Sequence, residues 1–245
     1  MRSFLFLRYT ILLSTILLTA CASIKVPMNQ LSFSGPQSDH KTLVIALGGL
    51  GGSPKDFEKY GFVAALQQAY PSVDLVCPDA HFGYYRTRQL LPRLKADIIE
   101  PAKAQGYQRI FLVGVSMGGM GSLLALRDLP AQFAGVVLLA PYSGEAELHA
   151  QVRDYLNNGG PAPWQLGLDG RKQSMAELWQ WLLANEALLQ SGKVWLGYGD
   201  NDRLSGHDLL AELLPKERVF TMAGEHKAVV FAELWRTVLA EKPFD

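Results

Sequence analysis

The stretch RIFLVGVSMGGMGSLLAL, residues 109–126, decides the fold class because it joins two kinds of secondary structure through a glycine-rich turn. Its first part, 109–115, is almost continuously apolar and β-rich, which is typical of a strand buried on both faces of a parallel sheet. The segment 117–128 that follows predicts a helix. Ser116 lies at the junction and is either an ordinary turn residue or a hydroxyl held at the end of a strand for chemistry.

The same alternation of strand and helix extends over most of the chain. Further apolar, β-rich runs predict strands at 41–47, 73–77, 134–140, 193–199 and 217–223, and helix-like segments lie between them at 54–69, 87–105, 174–190 and 227–240. This pattern predicts an α/β fold with a mostly parallel sheet flanked by helices. Ligands of such sheets bind outside the carboxyl ends of the strands, so the loops that follow strands are the places to look for functional residues.

The spacing of the elements also predicts the domain organisation. Residues 41–245 read as one α/β domain, and the interval between its fourth and fifth strands is longer than a crossover needs. This interval is either an enlarged connection with an extra helix or a small helical cap, and we favour a cap insertion at about residues 143–190. Residues 21–40 contain proline, glycine and polar side chains and predict a tether, with one short edge strand as an option.

Residues 1–20 predict a removable leader. Two arginines give a positive start, and the apolar stretch 9–20 is too short to favour a spanning helix and has no polar face. The sequence LTAC at its end resembles the lipobox of bacterial lipoproteins, which implies cleavage before Cys21 and a lipid anchor on that cysteine; a plain secretory signal is the alternative. Ala22 resembles the residue found in lipoproteins of the outer membrane, which implies a lipid-anchored protein of the cell envelope that faces the periplasm.

Composition argues against several classes of partner. The 245 residues carry 23 Lys and Arg against 23 Asp and Glu, so no basic field indicates a nucleic-acid partner. The sequence has no cluster of His, Cys and Asp with metal-ligand spacing, and neither a metal nor an organic cofactor is expected. With Cys21 acylated, only Cys77 remains, so no internal disulfide is available and Cys77 is expected to be a small buried residue at a strand end.

Residues 114–118 match G-x-S-x-G, in which a serine occupies a strained strand-to-helix turn and glycines let the two elements pass closely. A serine hydroxyl needs a histidine as base and an acid to orient that histidine. His226 follows the last predicted strand, and both Asp200 and Asp202 follow the strand before it. The order serine, aspartate, histidine at successive strand ends is the order of α/β-hydrolases. These placements predict a catalytic triad made of Ser116, one of the two aspartates and His226.

The chain has four other histidines: His40, His81, His149 and His207. His207 precedes a helical run and is expected to be a capping or surface residue, and His40 and His149 have no motif context. The aromatic segment 81–85 follows a predicted strand, so it either lines an acyl or aryl pocket or packs under the cap. Arg86 and Arg88 are expected to be solvated, with an anionic substrate group as the alternative partner.

Residues 41–240 resemble the α/β-hydrolase superfamily through the loop 48–53 (GGLGGS), the serine turn, GDNDR and GEH. GDNDR resembles the superfamily's G-x-x-D loop, which implies Asp202 as the orienting acid and Asp200 as a turn residue. The loop 48–53 resembles H-G-x-G-G-S, with glycine in place of the usual histidine. By position, this resemblance implies the N–H of Leu50 as an oxyanion donor beside that of Met117 at the helix start.

The resemblance implies a serine hydrolase that cleaves small or medium acyl esters through an acyl-enzyme, without a cofactor. A narrower likeness, over the segment from residue 79 to residue 144, is to bacterial α/β-hydrolases without an assigned substrate. A peptidase or amidase, a thioesterase and an acyltransferase use the same triad, and a lipoprotein that binds a ligand without catalysis is the alternative from another class. The sequence leaves the acyl chain length and the oligomeric state open.

Overall fold

The structure is a computed structural model that describes residues 23–158 and 170–245. The predicted leader, Cys21 and residues 159–169 of the predicted cap lie outside the described residues. Within the described ranges, no helix combines the length and the apolar character that a membrane span requires.

The described residues form a seven-stranded sheet in the order β1-β3-β2-β4-β5-β6-β7. The strands are β1 Gln30–Phe33, β2 Thr42–Leu47, β3 Asp74–Pro78, β4 Arg109–Val115, β5 Gly135–Leu139, β6 Val194–Gly199 and β7 Val219–Met222. Strands β2 to β7 pair in parallel, and β1 pairs antiparallel with β3 at the edge. The predicted α/β fold with a mostly parallel sheet is confirmed, and each predicted strand agrees with the observed one to within two residues.

The helices that connect and cover the strands are α1 Lys55–Lys59, α2 Phe62–Ala69, α3 Phe82–Arg86, α4 Leu90–Leu94, α5 Glu100–Ala104, α6 Met117–Asp128, α7 Ala146–Asn158, α8 Gly170–Ala184, α9 Glu186–Leu189, α10 His207–Glu212 and α11 Ala228–Ala240. The predicted helix 54–69 is divided at Gly61, which has a φ of 81°. The predicted helix 87–105 contains a π-helical turn at Lys95–Ile99 just before Pro101, where a proline lacks the N–H that a regular α-helix would use.

Two layers of apolar side chains cover the sheet, and the alternation along β4 shows how one strand serves both. Ile110 and Leu112 join the core cluster on one face, whereas Phe111 and Val113 join the cluster on the other face. All four are at most 2% exposed. Because successive side chains of a strand point to opposite faces, a run buried on both sides must be continuously apolar.

The insertion after β5 contributes to one of these layers. Val152 of α7 and Trp179 and Leu182 of α8 are fully buried, and they belong to the same cluster as Leu123 of α6. The described part of the predicted cap is therefore a component of the domain core.

The residues before β2 are packed on the domain, in contrast to the predicted tether over 21–40. Lys25 and Tyr84 exchange two hydrogen bonds, in which the Lys25 N–H donates to the phenol oxygen and the phenol O–H donates to the Lys25 carbonyl. Met28 is buried, and its N–H donates to a carboxylate oxygen of Asp97 at 2.8 Å. The optional edge strand is β1. One buried methionine and a four-residue strand give almost no periodic signal, so the sequence alone did not indicate these contacts.

Candidate active site

The turn between β4 and α6 holds Ser116 in a strained backbone conformation. Its φ of 54° and ψ of −114° lie outside the regions that a residue with a Cβ prefers. The Ser116 N–H donates to Leu139 O at 3.0 Å, and its carbonyl accepts from the N–H groups of Gly119, Met120 and Tyr142 at 2.9–3.2 Å. These hydrogen bonds from β5, α6 and the loop after β5 hold the strained conformation in place.

The glycines around Ser116 allow three elements to approach closely. A Cβ on Gly114 would lie 2.4 Å from the carbonyl oxygen of Gly118, and a Cβ on Gly118 would lie 2.0 Å from Leu47 O at the end of β2. A Cβ on Gly119 would lie 2.6 Å from the Cβ of Pro141. Close packing therefore requires glycine at each of these three positions, because any side chain there would push α6 away from the strands.

A chain of hydrogen bonds joins Ser116, His226 and Asp202. The Oγ of Ser116 lies 2.9 Å from Nε2 of His226, and Nδ1 of His226 lies 2.7 Å from Oδ2 of Asp202. An ionised carboxylate can only accept, so Nδ1 carries the proton and Nε2 accepts from the serine hydroxyl. The Leu204 N–H donates to Oδ1 of Asp202 at 2.8 Å and orients the carboxylate further. We call this chain the Ser116 relay.

The Ser116 relay is buried at its acid end and open at its serine end. The Asp202 side chain is 1% exposed and the His226 side chain 9%, whereas Ser116 is partly exposed. The His226 ring packs edge-on against Phe231 of α11, with 4.8 Å between ring centroids. The three residues follow β6, β7 and β4, so they meet at the carboxyl edge of the parallel sheet.

Asp200, the other candidate acid, occupies the turn after β6. Its Oδ1 accepts from the N–H of Gly224 at 3.0 Å and from the side chain of Asn201 at 2.8 Å. A Cβ on Gly199 would lie 2.3 Å from the carbonyl oxygen of Gly224. Asp200 therefore ties the loop after β6 to the loop after β7, and Asp202 is the aspartate that contacts His226.

The two predicted oxyanion donors belong to the helix start after Ser116 and to the loop after β2. Met117 is the first residue of α6, where an N–H has no acceptor within its own helix. A Cβ on Gly49 would lie 3.4 Å from the Cβ of Ser116, so the loop after β2 runs beside the serine, and Leu50 is the next residue. Gly48 has free space, since a Cβ there would meet only Phe57 at 3.8 Å. Sterics therefore do not require glycine at position 48, where the superfamily often has histidine.

A second arrangement of serine and histidine, which sequence reasoning missed, lies beneath the loop after β6. Nε2 of His149 lies 3.1 Å from Oγ of Ser143, and its Nδ1 lies 2.7 Å from Oγ of Ser205. Ser143 and His149 are 1% and 5% exposed, and Trp179 donates its indole N–H to Ser143 O. Burial lowers the pKa of His149. We call this group the Ser143 cluster.

His207, which was expected to be a capping or surface residue, is buried instead. It is 4% exposed, its Nε2 lies 3.2 Å from Pro141 O, and its ring packs against Tyr198. Burial is the main cause of its lowered pKa, and the nearby Asp202 opposes that shift. The short run after Asp202 gave no sign that this histidine turns inward under the acid loop.

The remaining candidate residues have structural contacts. His81 accepts from the Gly83 N–H at the start of α3, and His40 lies 2.9 Å from the carboxylate of Asp74. Cys77 is fully buried, and burial raises its pKa to about 12, so it is the small buried residue that was predicted. Among the described residues, no group of three His, Cys, Asp or Glu side chains is arranged to hold a metal ion.

A cavity of about 980 Å³ lies along α6, between that helix, the segment from α3 to α4 and the start of α8. Its apolar lining includes Phe82, Tyr85, Met120, Leu124 and Met175, and its basic lining consists of Arg86, Arg88, Lys95 and Arg127. None of the three residues of the Ser116 relay lines it. Two members of the aromatic segment therefore face a cavity, and both arginines that were expected to be solvated contribute to its wall.

Residues 52–233 match the family model described as "Putative esterase". The chain belongs to this esterase family. No curated protein sequence matches this esterase significantly. The membership makes the chain an α/β-hydrolase enzyme and agrees with the resemblance that the motifs carry.

Solved structures of other hydrolases share the fold of this esterase. The fluorophosphonate-binding serine hydrolase F of Staphylococcus aureus matches with a TM-score of 0.58 and 13% identity over 89% of this chain and 93% of its own. Est1E of Butyrivibrio proteoclasticus has a TM-score of 0.55 and 18% identity over 87% and 92%. An S-formylglutathione hydrolase of Agrobacterium tumefaciens has a TM-score of 0.55 and 14% identity over 88% and 89%. At these identities the likeness establishes the fold.

Proposed function

We propose that this esterase hydrolyses carboxylic esters through an acyl-enzyme on Ser116, with His226 as the base and Asp202 as the orienting acid. The observation that carries the proposal is the Ser116 relay, in which both histidine nitrogens have the partners that this chemistry needs, at 2.9 and 2.7 Å. The relay ends on a strained turn at the carboxyl edge of the sheet, where substrates of α/β folds bind.

In the first step, Nε2 of His226 takes the proton of Ser116 as the serine oxygen attacks the ester carbonyl. Asp202 holds the imidazole in the tautomer with a free Nε2 and stabilises the imidazolium that forms. The N–H groups of Met117 and Leu50 are the proposed donors to the oxyanion of the tetrahedral intermediate. His226 then protonates the leaving alcohol, and water attacks the acyl-enzyme by the same sequence of proton transfers.

The Ser143 cluster is a weaker candidate for the nucleophile, although it also joins a serine to a histidine. Ser143 is 1% exposed, so an ester carbonyl has no access to its hydroxyl. The far nitrogen of His149 meets a hydroxyl instead of a carboxylate, and a neutral hydroxyl gives much less stabilisation to an imidazolium. The helix after Ser143 begins only at Ala146, so the residue next to Ser143 is not a helix start as Met117 is next to Ser116.

Ester hydrolysis is tested by rates on 4-nitrophenyl esters of increasing acyl length, with a matched thioester and a 4-nitroanilide as further substrates. We expect turnover of short and medium esters, with a fall of about 10⁴-fold or more in Ser116→Ala, since the residual rate then comes from binding and oxyanion stabilisation alone. Ser122→Ala, at a buried serine on the next turn of α6, is the matched control. An unaltered rate in Ser116→Ala contradicts the proposal, and preference for the thioester or the anilide would redirect the substrate class.

The proposed site of action is the bacterial cell envelope, with a lipid on Cys21 and the domain on the periplasmic side of the outer membrane. Support comes from the lipobox resemblance and from the packing of Lys25 on Tyr84, which leaves a short stretch between Cys21 and the domain. We expect wild-type protein in the membrane fraction with a mass increase from acylation. Cys21→Ser is expected to lose both, and its normal membrane fractionation would refute the assignment; Cys77→Ser is the control.

A further inference from the structure

The large apolar side chains that the described surface exposes come from four separate segments. They are Val26, Leu50, Phe82 and Val229, with exposed fractions of 65%, 71%, 43% and 64%. Single exposed apolar residues are ordinary on a soluble domain. Their common position in the fold is what calls for an explanation.

Three of the four side chains follow the carboxyl ends of parallel strands. Leu50 follows β2, Phe82 begins α3 after β3, and Val229 lies in the first turn of α11 after β7. The carboxyl ends of these parallel strands lie together at one end of the sheet, which also carries the Ser116 relay. The three residues therefore lie in segments at the same end of the sheet as Ser116. We use 'edge' for this end of the sheet, across all strands, and not for the edge strand β1.

Val26 reaches the same edge from the antiparallel strand. Gln30 at the start of β1 pairs with Pro78 at the end of β3. The Asp79 N–H donates to Asn29 O at 2.7 Å, which extends the pairing by one more residue. Because β1 runs in the opposite direction, the residues that precede it lie where β3 ends, and Val26 is among them.

The segments that carry the four side chains adjoin strands on both sides of β4, the strand that Ser116 follows. In the sheet order, β1, β3 and β2 lie on one side of β4, and β7 lies on the other side. At about 4.8 Å between neighbouring strands, the edge is about 29 Å wide. The distribution is that of separate apolar contacts along a broad face, which suits a fluid, extended surface better than a single protein pocket.

Lys25, four residues after the predicted lipid attachment site, lies at this edge as well. Lys25 is held to Tyr84 of α3 by two hydrogen bonds, and α3 begins with Phe82. The four residue steps from Cys21 to Lys25 span at most about 14 Å when fully extended. A lipid on Cys21 therefore holds a bilayer within that distance of the edge that carries Ser116.

We propose that the edge defined by Val26, Leu50, Phe82 and Val229, the apolar edge, docks on a lipid bilayer, so that Ser116 meets acyl esters that reside in the membrane surface. The proposal rests on the proposed ester hydrolysis and on the proposed lipid on Cys21. A single acyl chain gives only marginal membrane binding, and shallow insertion of apolar side chains supplies a second contribution. Arg86 and Arg88 are exposed beside Phe82, where their charges suit anionic headgroups.

An activity comparison tests whether the apolar edge selects membrane esters. The full lipidated chain is assayed on a long-chain ester dispersed in phosphatidylcholine–phosphatidylglycerol vesicles and on soluble 4-nitrophenyl acetate. In the double variant Val26→Ser with Val229→Ser we expect kcat/KM for the vesicle ester to fall about tenfold or more, because two apolar contacts with the bilayer are lost. The rate on the soluble ester stays within about twofold. An equal loss on both substrates, or no loss on either, overturns the proposal.

Two exposed alanines near the opposite edge provide the matched control. Ala104 ends α5 before β4, and Ala131 precedes β5. The double variant Ala104→Ser with Ala131→Ser removes apolar surface at the amino edge, so its rates on both esters are expected to equal those of the wild type. A loss on the vesicle ester in this control as large as in the valine variant would overturn the assignment of the docking face.

A binding measurement separates this proposal from the proposed chemistry. In the Ser116→Ala background, in which ester hydrolysis is expected to be too slow to alter the vesicles, an environment-sensitive dye is attached to Val229→Cys or to Ala104→Cys; Cys77 is fully buried. We expect a blue shift at position 229 on addition of vesicles and none at position 104. Equal responses at the two positions, or a shift at position 229 that depends on protein concentration without vesicles, overturn bilayer docking, and the latter indicates a second copy of the chain.

Discussion

The Ser116 relay and the Ser143 cluster contain the same pair of side chains at nearly the same distances. Serine oxygen and histidine Nε2 are separated by 2.9 Å in the relay and by 3.1 Å in the cluster, and both Nδ1 atoms have an oxygen at 2.7 Å. The two groups differ in the third member and in which end is open. The same hydrogen bond between serine and histidine therefore occurs in two different environments, and the proposed choice of nucleophile rests on the third member and on exposure.

The two groups differ in which member is exposed to solvent. In the relay, the Asp202 side chain is buried and Ser116 is partly exposed. The proposed mechanism needs this arrangement, because it transfers a proton between protected groups and attacks the substrate with Oγ. In the cluster, Ser143 is buried and Ser205 is exposed. A hydroxyl group can donate through its O–H and accept at its oxygen, so Ser143 and Ser205 do not select one tautomer of His149, whereas the Asp202 carboxylate selects the Nδ1–H tautomer of His226.

The Ser143 cluster has a structural role that fits these properties. His149 lies on α7 and contacts Ser205 in the loop after Asp202, so it joins the insertion to the acid loop. Gly206 packs against the His149 ring and has a φ of 88°. A Cβ at this position would lie 2.6 Å from the imidazole, so the site has no space for a side chain. The cluster therefore supports the loop that presents the acid of the relay.

The largest expected difference between the two groups concerns their third members. Asp202→Asn is expected to lower kcat for ester hydrolysis by about 10⁴-fold, because the amide no longer fixes the histidine tautomer or stabilises the imidazolium. Ser205→Ala is expected to change kcat by less than about threefold, since the Ser205 hydroxyl only helps to support the loop that carries Asp202. Steady-state kinetics on one short ester measure both.

Asp200→Asn serves as the control for charge removal in the same loop, because Asp200 contacts the loop after β7 and not His226. Equal losses in Asp202→Asn and Ser205→Ala would remove the functional distinction between the two groups. A larger loss in Asp200→Asn than in Asp202→Asn would mean that the acid is assigned to the wrong aspartate.

A smaller effect is expected from the backbone that presents Ser116. A Cβ on Gly118 would lie 2.0 Å from a main-chain oxygen of Leu47, so Gly118→Ala forces β2 and α6 apart. We expect it to lower the free energy of unfolding by about 3 kcal/mol or more. Gly48→Ala, whose Cβ has free space, is expected to cost less than about 1 kcal/mol. Urea unfolding measures both, and equal stabilities would contradict the packing account of the turn.

The smallest effect concerns the pH dependence of stability. Burial lowers the pKa of His149 below its usual value of 6.5, so the unfolded chain binds this proton more readily than the folded one. The stabilisation is therefore fully present above pH 6.5 and is lost as the pH falls below that value. We expect His149→Gln to flatten the decline in unfolding free energy between pH 7.5 and about pH 5. An unchanged slope in the variant would show that His149 accepts its proton without cost in the fold.

The parts of the fold that the sequence predicted well are those in which one physical constraint determines several residues. Strands buried on both faces must be continuously apolar, and the run 109–115 has its observed bounds for that reason. The sequence missed both α3 and α7, because a one-turn helix has hardly any period and because α7 is largely polar. Both helices are held by contacts with distant parts of the chain.

The candidate site divides in the same way. Ser116 and His226, which the structure brings within hydrogen-bond distance, were predicted from glycine spacing and strand ends, which are local features, and the resemblance added the choice of Asp202. The Ser143 cluster joins residues 56 positions apart, without a motif at either end, so only the folded chain brings them together. The inward turn of His207 escaped prediction for the same reason, since its carbonyl partner at Pro141 lies 66 positions away.

Mapping of a fluorophosphonate adduct on the full chain tests the central claim most directly. Peptide mass spectrometry of the labelled wild type is expected to place the adduct on Ser116 and on no other serine. Ser143→Ala is expected to label at a rate within about twofold of the wild type, since its hydroxyl is buried support, and Ser116→Ala is expected not to label. An adduct on Ser143, or persistent labelling of Ser116→Ala, would contradict the account.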